Sequence, residues 1–503
     1  MAAYRAYPTS FVCVLLAYCA LYAEAGFLRP DFDSGWFNMT ADETAANTYK
    51  EITHGLGETP IKVKVLGRAI DGNHKGFIFE GTGTSQGDDD FGQPRSGPAY
   101  AYNNDVVRIW LPTINNFNPG DNYAIYVGGL WGGNDSTNAQ ASKTAEFKVL
   151  AWLEKSFYTA SEVIRTNISR YEFKEVPHTL GATPVYVLAR AVIPDDETHG
   201  GFVFEGIGSQ MMSKGPQSYN AYLGLLYGYN ASSIRMWTGM FVMGVSDGWG
   251  KNKNNVARTS ADVEIYVWAD FDSTGLGTYD SGWFRWDQSQ KEDYMELHVG
   301  MGYLPRFALV QYKAIDGDNQ GYIFNAIGTA ENDGLTPTQK PQLGGVVFAY
   351  GKNSVRLWTP SPDLTGTASI VRIMDLGGNQ SIQLSTQADV RVRLWAGKFH
   401  QKTACTLGST YQKMEDMSTT WQTANATTHL GQLTVTGSLK CGRECHCRPD
   451  CVAWATPGYV RGNIPTSCDL MGVRFGSDQS LPSDQNLKFY RYVDMDISGW
   501  EEN

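Results

Sequence analysis

Tyr102–Trp110 reads YNNDVVRIW, Tyr229–Trp237 reads YNASSIRMW and Tyr350–Trp358 reads YGKNSVRLW. The three stretches hold one place in successive blocks of roughly 120 residues, a period of whole domains rather than of solenoid turns. Each block has the same lead-in: a strand opening on Pro60, Pro184 or Pro305, then a Gly-aromatic-aliphatic-Phe strand at Gly76–Phe79, Gly201–Phe204 and Gly321–Phe324. Further strands close the blocks at Phe147–Trp152, Val263–Trp268 and Val390–Trp395. Two blocks also begin alike, as Phe32-Asp33-Ser34-Gly35-Trp36-Phe37 and Tyr279-Asp280-Ser281-Gly282-Trp283-Phe284, whereas the second lacks that Trp.

Ile61–Val65 and Val390–Leu394 alternate apolar and charged residues, the pattern of half-buried strands in antiparallel sheets. Asp71-Gly72-Asn73, Asp316-Gly317-Asp318-Asn319 and Asn332-Asp333-Gly334 carry turn chemistry between strands. The spacing predicts about seven or eight short strands per block, the number of a two-sheet sandwich. An aromatic content of 13% and 54 glycines suit such a fold, with large core residues and many turns.

The first residues carry Arg5, an apolar run over Phe11–Tyr22 and a small-x-small pattern at Ala23-Glu24-Ala25, the form of a secretory signal. No later stretch has the eighteen or so apolar residues of a membrane span. The expectation is therefore a secreted, extracellular protein. Sequons at Asn38, Asn134, Asn167, Asn230, Asn379 and Asn425 agree with that compartment as glycosylation acceptors. A net charge of −11 argues against a nucleic-acid partner. Cys13 and Cys19 fall in the leader, and Cys405, Cys441, Cys445, Cys447, Cys451 and Cys468 all lie beyond residue 400. The blocks must then hold together by apolar cores, and the C-terminal segment by cross-links.

Alternation along the repeated strand places Val107 and Ile109 on one face, Arg108 and Trp110 on the other. Arg235/Trp237 and Arg356/Trp358 stand likewise. An indole and a guanidinium roughly 7 Å apart could hold a sugar, the ring on its C–H face and Arg donating to hydroxyls. These six residues are the candidate carbohydrate-binding set. Against it stands the favoured reading, a second layer of packing with Arg lying over the indole by its stem and a cation–π contact. His54, His178 and His298 recur before the block prolines, one per block, and read as turn-capping residues rather than a metal set. No cofactor is expected, calcium at the Asp71, Asp316 and Asp318 turns being the one candidate, with ordinary hairpin chemistry favoured. Gly83-Thr84-Ser85-Gln86-Gly87 fits the spacing of a hydrolase elbow but lacks its strand–turn–helix context, so no catalysis is expected.

Beyond about residue 399 the pattern changes. Cys441 and Cys445 stand at helical i, i+4 spacing, followed by Cys447, by Cys451-Val452-Ala453-Trp454 and by Cys468-Asp469-Leu470. This region resembles the apple/PAN domain, and the resemblance implies pairs Cys441–Cys468 and Cys445–Cys451, leaving Cys405 and Cys447 as a third bridge. It departs from the fuller apple pattern, since no cysteine follows Cys468 and Cys447 is additional. The repeats, through Ser34-Gly35-Trp36, Pro60-Ile61-Lys62-Val63 and Leu150-Ala151-Trp152, resemble H-type lectin modules, small β-sandwiches. The blocks are longer than that module.

The expected architecture is thus mainly β: a signal peptide (1–25), three tandem antiparallel β-sandwich repeats (26–154, 155–272, 273–398) and a small disulfide-linked α+β apple/PAN-like domain (399–503). The expected function is carbohydrate binding or adhesion through lectin-like repeats, the partners being glycans or extracellular proteins, with self-association into homo-oligomers compatible. The alternative is a structural extracellular-matrix or coat protein assembling through protein–protein contacts.

Overall fold

β-branched and aromatic residues such as Val63, Val65, Tyr186, Val187, Phe307, Val310 and Tyr312 suit Lys62–Ala69, Tyr186–Val192 and Phe307–Ala314 to be the long central strands of the three blocks. Each pairs antiparallel with its block's closing strand: Thr144–Trp152, Ser260–Trp268 or Gln387–Trp395. This computed structural model describes residues 29–395, apart from 86–95, 114–121, 129–130, 133–137, 158, 195–198, 210–223, 246–247, 271–278, 289–292, 331–342, 362–368 and 375. Beyond 395 it describes the backbone of five strands. The expected signal segment, Asn134, Asn425 and the side chains of the six C-terminal cysteines lie outside the described residues. The fold is mainly β, built of antiparallel sheets, with ten, nine and ten strands among the described residues of the three blocks.

The long sheets are not confined to single blocks. Block 1 contributes Phe32–Asp33, Phe37–Thr40, Thr144–Trp152, Lys62–Ala69 and Ile78–Glu80 to a sheet completed by Val347–Tyr350, Ser354–Trp358 and Tyr294–His298 of block 3. Block 2's sheet is completed by Ala99–Tyr102, Val106–Trp110 and Tyr49–Thr53 of block 1. Block 3's sheet is completed in turn by Leu225–Tyr229, Ser233–Thr238 and Phe173–Pro177 of block 2. The junctions are Ala349↔Phe79, Tyr102↔Val203 and Tyr229↔Ile323. Each block therefore lends a three-stranded group to the next, and the third lends its own to the first. Residues up to Gly397 form one compact unit as a result.

Where the blocks meet, a cavity of about 80 Å³ is lined from all three, with Lys62, Lys64, Glu80, Glu205 and Asn325 among its walls. Lys62 of block 1 is ion-paired with Glu205 of block 2. The same carboxylate accepts from the Val63 amide (3.2 Å), the Tyr100 hydroxyl (2.9 Å) and the Tyr102 hydroxyl (3.2 Å). Burial pulls the Lys62 ammonium down, but the charge and hydrogen bond of Glu205 outweigh it and hold the group above its usual range. Lys64 reaches Glu80 at 2.6 Å, and burial leaves it below its usual range.

The second unit, from Lys398 onward, contains a five-stranded antiparallel sheet. Its order is Tyr411–Lys413, Leu487–Tyr492, Cys451–Pro457, Ser467–Val473, Thr427–Thr434. The expected Cys441–Cys445 helix and the three disulfides lie outside the described residues.

Candidate functional site

The repeated Arg-x-Trp strands are not laid out for stacking on a sugar, which corrects the expectation for Arg108, Trp110, Arg235, Trp237, Arg356 and Trp358. Trp110, Trp237 and Trp358 are 1%, 0% and 0% exposed, so none has a free ring face. Each indole Nε1 instead donates to a backbone carbonyl of the following block: Trp110 to Lys253 (2.8 Å), Trp237 to Gln380 (3.0 Å) and, closing the ring, Trp358 to Asn138 (2.9 Å). The arginines follow the same order. Arg108 lies over Phe202, Arg235 over Tyr322 and Arg356 over Phe77, each guanidinium 4.0–4.2 Å from the ring centre. Their outer sides pair with Glu51, Glu175 and Glu296 of their own blocks. The packing alternative holds, with one difference: the ring under each Arg belongs to the neighbouring block. Val107 and Ile109, on the opposite face, enter a core with Val63, Val65 and Phe147 of their own block.

The recurrent histidines and aspartates also serve the backbone. His54 and His178 bridge the Asn103 and Asn230 carbonyls to the Leu56 and Leu180 amides, as turn caps do, while His298 is exposed. Asp71 accepts from Gln140 and Ser142, Asp316 from Gln383, and the Asp318 carbonyl from Arg235. Among the described residues no group of three or more His, Cys, Asp or Glu side chains is placed to hold a metal ion. Ser85 of the elbow-like motif is fully buried, and Gly83 abuts the Glu205 backbone, so the described part of the motif, Gly83–Ser85, is packed against block 2. Asn38, Asn167 and Asn379 are exposed; Asn230 is half-buried, its side-chain oxygen bound by the Ser232 and Ser233 amides.

A different repeated feature faces solvent. In block 1 Asp33 pairs with Leu150 and Phe37 with Phe147, so four steps on one strand match three on its partner. Asp280↔Arg393 and Phe284↔Val390 repeat the mismatch in block 3. The extra residue is a β-bulge built on Gly35 and Gly282 (φ 66° and 65°). Asp33 and Asp280 each accept the glycine amide at 2.9 Å, and the Ser34 and Ser281 hydroxyls each accept a ladder amide, from Val149 and Val392, at 2.9 Å. The bulge turns Trp36 and Trp283 outward, half-buried against cations. Arg68 and Lys148 lie 4.3 and 5.3 Å from the Trp36 ring centre, Lys313 and Arg391 4.7 and 5.8 Å from that of Trp283. Block 2 runs Glu162–Ser169 unbroken along its closing strand, which leaves no bulge and no Trp.

In block 3 the described surroundings of this Trp include a cavity of about 430 Å³. Its walls combine Tyr279, Asp280, Trp283, Lys313, Arg391, Arg393 and Trp395 with Pro184 and Val185 of block 2. Asp280 is gripped by the Arg391 fork at 2.8 and 2.5 Å. Burial raises its carboxyl, but the Arg391 hydrogen bonds and the Gly282 amide bring it below the usual carboxylate range. In the sequence Asp280-Ser281-Gly282-Trp283 reads only as a block start, with nothing of its own to show that it borders a cavity. The signal was in the closing strand: Arg391-Val392-Arg393 replaces Lys148-Val149-Leu150 and Glu264-Ile265-Tyr266. No protein-family model matches the chain, and no curated protein matches it.

Proposed function

We propose that the protein is a secreted carbohydrate-binding or adhesion glycoprotein whose binding site is the Trp283 cavity. The observation that carries this reading is a half-exposed indole in a cavity of monosaccharide size or larger, with guanidinium and carboxylate groups fixed at its wall. An indole face matches the C–H face of a pyranose, and planar charged groups match its hydroxyls. Asp280 and Arg391 hold one another in place before any ligand arrives, which lowers the ordering cost of binding. Among the described residues no helix is long and apolar enough to cross a membrane. A glycan array of the full chain tests the proposal. Binding is expected, and Trp283→Ala should abolish it while Trp36→Ala, at the counterpart in block 1, leaves it. An array without hits, or hits indifferent to Trp283, refutes it; filaments or oligomers formed without sugar would favour the coat-protein alternative.

A further inference from the structure

Building on the carbohydrate reading, we infer that the Trp283 cavity selects acidic sugars, those carrying a carboxylate or a sulfate, through Arg393. The argument starts from how the charges in the cavity are committed. Among the described residues five charged ones line it: Lys313, Arg391 and Arg393 against Asp270 and Asp280, three cations to two carboxylates. Both oxygens of Asp280 are taken by the Arg391 fork, and its Oδ1 also accepts the Gly282 amide. Lys313 is neutralised at 3.2 Å by Asp389, which it shares with Arg285.

Arg393 has the loosest pairing of the three cations: Asp280 and Asp270 favour its charge from a distance. It is 8% exposed, and its nearest carboxylate oxygen, on Asp280, stands 3.6 Å from Nε, beyond hydrogen-bond length. Its Nη1 makes a long contact of 3.4 Å to the Val185 carbonyl, and among the described residues Nε has no hydrogen-bond partner. Burial and the neighbouring Arg391 disfavour its charge and outweigh the opposing pull of Asp280, Tyr229 and Asp270, so the group lies below its usual range. A guanidinium does not shed that charge at ordinary pH, so the lowest-energy remedy is an anion in the cavity. Guanidinium groups bind carboxylates and sulfates through paired N–H donors.

The counterparts support a function specific to block 3. Leu150 fills this place in block 1. Block 2 has Tyr266, whose hydroxyl meets Arg190 at 2.8 Å and Glu264 at 3.1 Å, a complete internal network. A buried arginine is therefore not demanded by the strand.

The test uses matched sugars on the full-length protein: glucuronic acid against glucose, and galactose 6-sulfate against galactose, by calorimetry or saturation-transfer NMR at low and high salt. The acidic member of at least one pair is expected to bind tenfold or more tighter, with affinity falling as salt rises. The two pairs distinguish a carboxylate from a sulfate. Arg393→Leu, which installs the block 1 residue, should erase the preference; Lys313→Gln, on the rim, should reduce it and serves if Arg393→Leu proves unfolded by circular dichroism. Equal binding of neutral and acidic members, or a preference that survives Arg393→Leu in a folded protein, overturns the inference and leaves the carbohydrate reading standing. Absence of binding to all four sugars, together with a blank glycan array, overturns both.

Discussion

Replacing Gly250 by alanine should separate two costs that the ring of blocks imposes on one residue. Gly250 has φ 57°, and a Cβ built there would lie 2.5 Å from Cδ1 of Trp110, a contact between block 2 and block 1. The indole cannot swing aside, because it is 1% exposed and its Nε1 is held by the Lys253 carbonyl at 2.8 Å. Left-handed backbone costs a non-glycine residue about 1–2 kcal/mol, offset by about 0.4–1 kcal/mol from a stiffer unfolded chain. Overpacking against the trapped ring adds about 1–3 kcal/mol. Gly55 isolates the first cost: its φ is 64° and nothing lies within 4 Å of a built Cβ. Urea unfolding followed by tryptophan fluorescence should thus show Gly55→Ala losing about 1 kcal/mol and Gly250→Ala about 2–4 kcal/mol, with the same slope. Gly377→Ala and Gly132→Ala, facing Trp237 and Trp358 at 2.7 and 2.6 Å, should behave like Gly250→Ala. Equal losses at Gly55 and Gly250 would refute the claim that these indoles lock one block to the next.

Truncating any one of the three locking indoles to alanine should cost about 3–5 kcal/mol. Thermal scans of the fragment 26–397 should show all three blocks melting together, whereas separate transitions would argue for independent blocks. Glu205→Gln should destabilise by about 3–5 kcal/mol, measured by denaturant titration, because it leaves the buried Lys62 ammonium without its counter-charge. His74 gives a pH dependence. Its Nδ1 accepts from Arg356 at 2.6 Å and its Nε2 donates to the Asn138 carbonyl at 3.0 Å, an arrangement that needs the neutral ring. Burial, and next the Arg356 charge, bring its pKa down to about 4. The unfolded chain therefore takes up this proton first, and stability falls as pH drops from about 6.5 towards 4, by at most about 3 kcal/mol. His74→Asn, copying Asn319 at the equivalent site in block 3, should flatten that slope relative to the native chain.

Much of the strand framework was legible in the sequence because antiparallel strands write their burial pattern directly into residue alternation. The faces of Val107 and Ile109, and the closing strands ending in Trp152, Trp268 and Trp395, needed no further information. The exchange of strands was not legible. A hairpin such as Tyr102–Trp110 buries the same faces whether it completes its own sheet or its neighbour's, and the apolar pattern common to the copies does not distinguish the two. For the same reason Trp110 could be assigned a covered or an open face, but not the block that covers it. The Trp283 site escaped because a β-bulge is a mismatch of register between two strands distant in sequence, and register is a property of the pair. Arg393 stood in view as an interruption of an apolar position, yet the open hydrogen-bonding capacity of its Nε depends on Asp280 being occupied by Arg391.

The asymmetry at the meeting point of the blocks has a consequence for how such a molecule can diversify. Around a true threefold axis any lysine faces two copies of itself, and a cluster of alternating sign cannot form from one residue type. Joining the copies in one polypeptide removes that restriction. Lys62, Tyr186 and Phe307 occupy one equivalent position, as do Glu80, Glu205 and Asn325. Each subunit-like segment is thereby released from having to match itself. One can supply an ammonium group to the junction, another the carboxylate that receives it, and a third can open a cavity beside its tryptophan.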